Sequence, residues 1–282
     1  MYFYMKKFAL FIFSLFIFFV FAGTKVYAEN IRFVQISDSH LTIDSEYSMR
    51  VLKSAVEDIN KQEGISFVIF TGDNINSPKE ENLREFVSIA SKLNVPYYVA
   101  LGNHDVYKSN GLSKVRYYEI LREKNIFYPQ RKPNYKFKKN GFVFLVVDGA
   151  KEVIPGAVGY YREDTLNWLD KELSKNDKKD VIILQHFPVE YPEGVETRLR
   201  THRTYKVEDY QTLLAKHHNV LAVISGHFHV NAENMKDGVY HISTPSLIGL
   251  PNSYKIIDIV TTKEFSPIIY TQLREFEVKD SI

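Results

Sequence analysis

The chain contains no cysteine. That excludes a disulfide framework and thiolate chemistry, and it restricts any metal ligands to His, Asp, Glu, Asn or backbone groups. Tryptophan occurs once in 282 residues. A basic excess is lacking too. The formal net charge is +2, but Lys6, Lys7 and Lys25 lie in the first 28 residues, where there is no acid. Without that segment 33 basic residues face 34 acidic ones, a balance of about −1. No clustered positive charge suggests nucleic acid as a partner. Internal repeats, low-complexity stretches and linkers rich in Pro, Gly or Ser are also missing, so residues 29–282 read as one domain. Hydrophobic residues at 45% and charged residues at 25% leave ample material for a core.

What is present begins with a leader. "MYFYMKK" supplies positive charge, Phe8 to Gly23 form an apolar run, and "VYA" ends on the small residue Ala28. A short apolar run with a small-residue exit is the pattern of a secretory signal peptide, here residues 1–28, cut after Ala28. The alternative is an uncleaved N-terminal anchor through residues 8–23, a run near the lower limit for spanning a bilayer. Both place the rest of the chain outside the cytoplasmic membrane, secreted or extracytoplasmic and, in the second case, membrane-anchored. No second run of that length follows.

Strand-like and helix-like segments then alternate. "IRFVQIS", "ISFVIFT", "VPYYVAL", "GFVFLVVD", "DVIILQ" and "VLAVIS" are apolar or β-branched runs. Between them lie helical spacings, such as Val51, Leu52, Ala55, Val56 and Ile59 ahead of Gly64. The tail, "GVYHISTPS", "YKIIDIVTT" and "SPIIYTQLREFEV", is strand-like without clear helices. The alternation predicts an α/β layered fold, and the tail an added antiparallel sheet or a second packed sheet.

Polar residues gather just past the strand ends. The runs are followed by Asp38-Ser39-His40, by Gly72-Asp73, by Gly102-Asn103-His104-Asp105, by His186, and by Gly226-His227-Phe228-His229. A lone "GNHD" is more often a turn. Five strand ends that deliver carboxylate, imidazole or amide groups to one edge, without Lys or Arg, are not surface decoration. In open α/β sheets that edge binds ligands. Asp38, His40, Asp73, Asn103, His186, His227 and His229 make seven candidate metal ligands, too many for one tetrahedral ion. Two ions sharing Asp73 through its two oxygens would use all seven. Mixed nitrogen and oxygen ligands suit Zn, Mn, Fe, Co or Ni better than Ca or Mg. A pair of such ions is the arrangement that hydrolyses phosphate esters in line.

The blocks "DSH", "TGDN", "GNHD", "QHFP" and "GHFH", in that order from Asp38 to His229, resemble the pattern of the calcineurin-like metallophosphoesterase superfamily. The wording "SDSHL" and "GNHD" is similar to the branch with bacterial cyclic-nucleotide phosphodiesterases. The resemblance implies a four-layer α/β/β/α sandwich with two central mixed β-sheets. It implies two divalent or trivalent transition-metal ions, Mn, Fe or Zn, one held by Asp38, His40, Asp73 and His229 and the other by Asp73, Asn103, His186 and His227. It gives His104 the substrate phosphate and the leaving oxygen, and makes Asp105 the hydrogen-bond partner that orients His104. The reaction expected is hydrolysis of small phosphomonoesters or phosphodiesters by in-line attack of a metal-bridging hydroxide. One departure stands out: many members carry an acid shortly after the GD pair, and "GDNINS" has none.

Other groups have plainer readings. His217 and His218 end a helix and read as surface residues; His241 reads as a core or edge histidine. Arg198, Arg200, His202 and Arg203 in the loop over 187–205 read as a solvated charge run, although a loop of that length near a site is the place to look for substrate choice. Tyr160 and Tyr161 suit packing or a pocket wall. Against the hydrolase stands a catalytically silent binding module of the same fold, which would be expected to have lost ligands, whereas all seven and His104 are present. A nuclease relative is disfavoured by the near-neutral charge.

Overall fold

The computed structural model describes residues 29–124, 132–196, 201–261 and 266–280. The leader over 1–28, and Arg198 and Arg200, lie outside the described residues. In chain order the elements are β1 (Ile31–Ile36), α1 (Glu46–Ile59), β2 (Val68–Thr71), α2 (Glu80–Ala90), β3 (Tyr97–Ala100) and α3 (Lys114–Lys124). Next come β4 (Tyr135–Lys139), β5 (Phe142–Val146), α4 (Glu163–Lys175), β6 (Val181–Leu184), α5 (Val207–Ala215) and β7 (Val220–Ser225). The chain closes with β8 (Ala232–Lys236), β9 (Val239–Ser243), β10 (Ser253–Val260) and β11 (Ile268–Glu275).

Helix formation follows apolar spacing and end chemistry. In α1 the buried stripe is Val51, Leu52, Ala55, Val56 and Ile59, and the Ser45 side chain caps the N-terminus by accepting from the Ser48 amide. Helices α2 and α4 each open with two acids, Glu80 and Glu81, and Glu163 and Asp164, where the helix dipole favours negative charge.

The strands form two sheets, ordered β11-β10-β1-β2-β3 and β4-β5-β6-β7-β9-β8. Both are mixed: β1, β2 and β3 run parallel, as do β5, β6, β7 and β9, while β10, β11, β4 and β8 pair antiparallel. Helices α1 to α3 cover the outer face of the first sheet, where Phe86 of α2 meets Phe70 of β2 edge-on at 4.9 Å. Helices α4 and α5 cover the second. This is the four-layer α/β/β/α sandwich.

Aromatic rings join the sheets. Phe67, just ahead of β2, stacks on Phe33 of β1 at 4.7 Å and meets Phe144 of β5 and Phe137 of β4 at 5.1 and 5.2 Å. Tyr98 of β3 stacks on Phe137 at 3.7 Å. Closer to the strand ends the join turns polar. Gln35 of β1 donates to the Ser225 carbonyl at 2.8 Å and to Thr71 Oγ1 at 3.0 Å, and accepts from Thr244 Oγ1 at 2.6 Å. A buried amide with both ends satisfied fixes the register of the two sheets near the site.

Two expectations change. The tail makes no sheet of its own: β10 and β11 extend the first sheet beside β1, and β9 inserts into the second beside β7. The ligand-bearing strand ends come from two sheets, β1 to β3 in one and β6 and β7 in the other, whose C-terminal edges meet. The edge strands β4 and β8 were not foreseen because "YKFKK" and "AENMK" are largely exposed and carry little apolar alternation.

Candidate metal centre

The loops leaving these strands are cross-linked through their backbones. Asp38 N donates to Gly72 O at 3.0 Å and His40 N to Asp73 O at 2.9 Å; Gly226 N donates to His186 O at 3.0 Å and Leu247 N to Ser37 O at 2.9 Å. Five of the seven candidate ligands, Asp38, His40, Asp73, His227 and His229, have positive φ, from 40° to 73°. Non-glycine residues rarely adopt that region, at a cost of about 1–3 kcal/mol each, and they keep it only where the surroundings enforce it. Glycines give the loops room to close. A Cβ on Gly226 would meet Ser37 Oγ at 1.8 Å and Asp38 Oδ2 at 2.6 Å, and one on Gly102 would meet Asp73 Oδ1 at 2.1 Å.

Each carboxylate has one oxygen fixed and one turned inward. Asp38 Oδ2 accepts from Ser37 Oγ and, at 3.0 Å, from His227 N. Its Oδ1 faces His229 Nε2 at 3.1 Å and His40 Nε2 at 3.9 Å. Asp73 Oδ1 accepts from His104 N at 2.8 Å. Its Oδ2 stands between His186 Nε2 at 3.4 Å and His40 Nε2 at 3.9 Å. Of the two Asp73 oxygens, Oδ2 is the one that faces both neighbouring groups of candidate ligands.

Carbonyls set the imidazoles. A carbonyl oxygen only accepts, so the ring nitrogen facing it carries the proton and the other nitrogen keeps its lone pair. His186 Nδ1 donates to Thr71 O at 2.8 Å, which turns Nε2 toward Asp73. His227 Nε2 donates to His202 O at 3.2 Å, leaving Nδ1 3.2 Å from His186 Nε2. His104 Nδ1 donates to Asn76 O at 2.8 Å.

The inward atoms fall into three overlapping groups, Asp38–His40–His229, His40–Asp73–His104 and Asp73–His186–His227, each with ligand atoms within 4.8 Å of one another. Asn103 Oδ1 is buried without a hydrogen-bond partner among the described residues, and Asn103 lines a cavity of about 420 Å³ with His40, Asp73, His104, His227 and His229. An orphaned buried amide oxygen costs free energy unless something else binds it. The donor set fits metal ions of mixed nitrogen–oxygen preference.

Electrostatics agree. Burial alone raises the pKa of Asp38, yet His229, His186 and His40 outweigh it and hold the carboxyl well below the usual range. Asp73 is held low against its burial by His186 and His40. Burial opposes protonation of His186, but Asp73 and Asp38 hold it up at about 9. Burial and the neighbouring His186 push His227 down to about 4. Both carboxylates are thus ionised and buried, with imidazoles as their only ion-pair partners among the described residues. A cation taking that place would expel the His186 proton.

His40, Asp73, Asn103, His227 and His229 of the seven predicted ligands line one cavity with His104, and Asp38 and His186 lie buried beside them in the same ligand groups. Asp105 is a correction. It is fully buried and does not touch the His104 ring, which is oriented by the Asn76 carbonyl. Its oxygens accept from Gly102 N at 2.7 Å, Asn74 N at 2.9 Å, Asn74 Nδ2 at 3.0 Å and Ile75 N at 3.2 Å. Asp105 ties the "GDN" loop to the "GNHD" loop. Burial first and the Asp73 charge second push its carboxyl up, to about 7, against those donors; a cation on Asp73 removes the second push. Asn74 and Asn76, in the stretch that lacks the common acid, serve Asp105 and His104 and were not singled out in the sequence.

The remaining readings resolve locally. His202 lines the cavity and anchors His227 through its carbonyl, so it is not part of a solvated run. Arg203 sits over the Tyr191 ring at 4.1 Å. Tyr161 is buried and donates to Phe187 O at 2.7 Å. His217 pairs with Asp170 at the surface at 2.8 Å, and His241 is buried on β9.

Comparison with known proteins points the same way. The model of the calcineurin-like phosphoesterase family matches residues 31–231. A protein of Arcobacter nitrofigilis named "Probable glycerophosphodiester phosphodiesterase" is 29% identical over 212 residues, covering 70% of this chain and 71% of its own length. A "Probable cyclic nucleotide phosphodiesterase" of Coxiella burnetii is 26% identical over 71% of this chain and 76% of its own length. Among solved structures, a dimetal phosphatase from Danio rerio superposes with a TM-score of 0.64 at 18% identity, covering 87% of this chain and 96% of its own. That last likeness is one of fold.

The four donors on Asp105 generate a prediction. Asp105→Asn turns one acceptor oxygen into a donor facing N–H groups, so it should lower unfolding stability by about 1–3 kcal/mol. Urea denaturation with unchanged stability would contradict the role of Asp105 as the tie between the two loops.

Proposed function

The chain belongs to the calcineurin-like phosphoesterase family and is a metal-dependent phosphoric ester hydrolase, and from that premise we propose that it is an exported, dinuclear phosphodiesterase of small phosphate esters. The observation that carries the dinuclear reading is Asp73 Oδ2, which stands between two ligand groups while Asn103 Oδ1 lies buried without a partner among the described residues. Two bound cations would supply hydroxide near neutral pH and offset phosphoryl charge.

The protein's own groups do the rest. Asp38, His40 and His229 would hold one cation, and His186, His227 and Asn103 the other, with Asp73 shared. The Asp38 and Asp73 oxygens turned away from the cavity are already taken by Ser37, His227 and His104, so the inward oxygens are fixed before substrate arrives. His104 lines the cavity with its Nδ1 engaged by Asn76, which leaves Nε2 for the substrate. In imidazolium form that Nε2–H donates to charge growing on the leaving oxygen and passes its proton there. Gly194, Glu196 and His202 of the loop over 187–205 form the outer wall of the cavity. The names of the two relatives support a diester as substrate, and the cavity of about 420 Å³ suits a small one.

Export rests on the leader pattern of residues 1–28. No helix among the described residues is long and apolar enough to cross a membrane. The mature protein secreted by the native host should begin at Glu29, as read by N-terminal sequencing; a protein that begins at Met1 and sediments with membranes would replace cleavage by anchoring.

His104→Ala should lower kcat on a diester by about 10²–10⁴-fold while bound cations stay at the wild-type number. The assay is turnover of a panel of phosphomonoesters and diesters with Mn, Zn or Fe, with metal counted by mass spectrometry. No turnover of any member by cation-loaded wild-type protein would refute the hydrolase reading.

A further inference from the structure

Two cavities meet at His229. One is the metal cavity. The other is a groove of about 380 Å³ that shares His229 with it and is walled by Pro245, Ile248, Leu250, Pro251 and Leu273. The groove lining contains no Asp, Glu, Lys or Arg, and its one ring is the imidazole of His229. Its polar side chains are His229, Asn231, Ser246 and Ser253, of which Ser246 is already engaged with Asp38 O. No cation in it would pair a second phosphate or a carboxylate, and the rest of its wall is aliphatic.

The groove is built and not incidental. Its floor is tied to the first ligand loop: Ser246 Oγ donates to Asp38 O at 2.7 Å and Leu247 N to Ser37 O at 2.9 Å. Asn252 Nδ2 holds the turn by donating to Leu247 O at 2.9 Å and Gly249 O at 3.2 Å, and it meets Tyr47 of α1. On this braced turn Leu250 is 84% exposed. A large aliphatic side chain held out beside the site contributes little to the core and is available to a ligand in the groove.

The site's geometry sets a direction. The His40 ring meets both His104, at 4.8 Å, and His229, at 5.3 Å. A phosphodiester with its leaving oxygen at His104 would have room for its other substituent on the His229 side, where the groove begins.

We propose that the groove beside His229 binds the retained alkyl substituent of a phosphodiester, so that the enzyme's substrates are small diesters with an unbranched aliphatic arm. The assignment rests on the phosphoesterase reading. Hydrolysis forms one P–O bond from hydroxide and breaks the P–O bond to the leaving alcohol, which departs with the electron pair. The alkyl phosphate monoester remains in the groove as product.

A series of methyl, butyl and octyl 4-nitrophenyl phosphate diesters tests this with the cation-loaded protein, below micellar concentrations. The kcat/KM should rise about two- to fourfold per methylene over the first carbons, the gain expected from partial to full burial of each. Leu250→Asp and Ile248→Asn should each lower the octyl-to-methyl ratio at least tenfold. Calorimetry should show octyl phosphate binding more tightly than methyl phosphate, with a negative heat-capacity change. A flat series with the methyl ester turned over, or an unchanged ratio in both variants, overturns the groove assignment and leaves the hydrolase intact. No turnover of any member overturns the hydrolase reading instead. A flat series together with an oligomer that Leu250→Asp dissociates in sedimentation assigns the groove to a second copy and also overturns the proposal.

Discussion

Two carboxylates, Asp38 and Asp73, are buried as anions with no Lys or Arg beside them among the described residues. Buried charge of one sign is costly unless it is paired, and imidazoles shared among two carboxylates are weak compensation. The arrangement becomes favourable when cations sit among those oxygens and nitrogens. Much of the surrounding structure follows from that constraint. Each carboxylate has its outer oxygen occupied, His186, His227 and His104 have their outer nitrogens on carbonyls, and the remaining atoms gather in overlapping groups beside the cavity.

The fold supplies what the constraint needs. Two sheets meet at their C-terminal edges, so candidate ligands from β1, β2, β3, β6 and β7 converge without long loops between strand and side chain. The Phe33–Phe67–Phe144 cluster and the Gln35 network hold the sheets in one register. Five of the candidate ligands, in left-handed backbone conformation, sit at the turns off these strands. Their strain is borne by the cross-bonded loops, and Asp105 adds a side-chain bond where the "GDN" and "GNHD" loops meet.

The sequence makes the ligands legible because the chemistry is local to short blocks. Asp38-Ser39-His40 and His227-Phe228-His229 put donors two residues apart directly after apolar runs, and the runs are long enough to read as strands. Less local features are not legible. The split into two sheets depends on which apolar runs pair, and β1, β5 and β7 look alike in composition. Strands β4 and β8 are exposed edges with little alternation. The His104 partner was expected at its neighbour Asp105, but the chain turns so that the Asn76 carbonyl, 28 residues earlier, meets the ring. The role of Asn74 and the braced turn under Leu250 likewise exist only in three dimensions.

The most direct measurement of the account is the number and affinity of cations bound by the intact protein and by Asp73→Asn, by equilibrium dialysis against Mn with metal counted by mass spectrometry. The wild-type chain is predicted to saturate at two ions. Replacing the shared carboxylate's charge should weaken both by about tenfold or more. Saturation at a single ion, or an Asp73→Asn protein that binds two as tightly as the wild type, would contradict the proposal that Asp73 is shared by two metal sites.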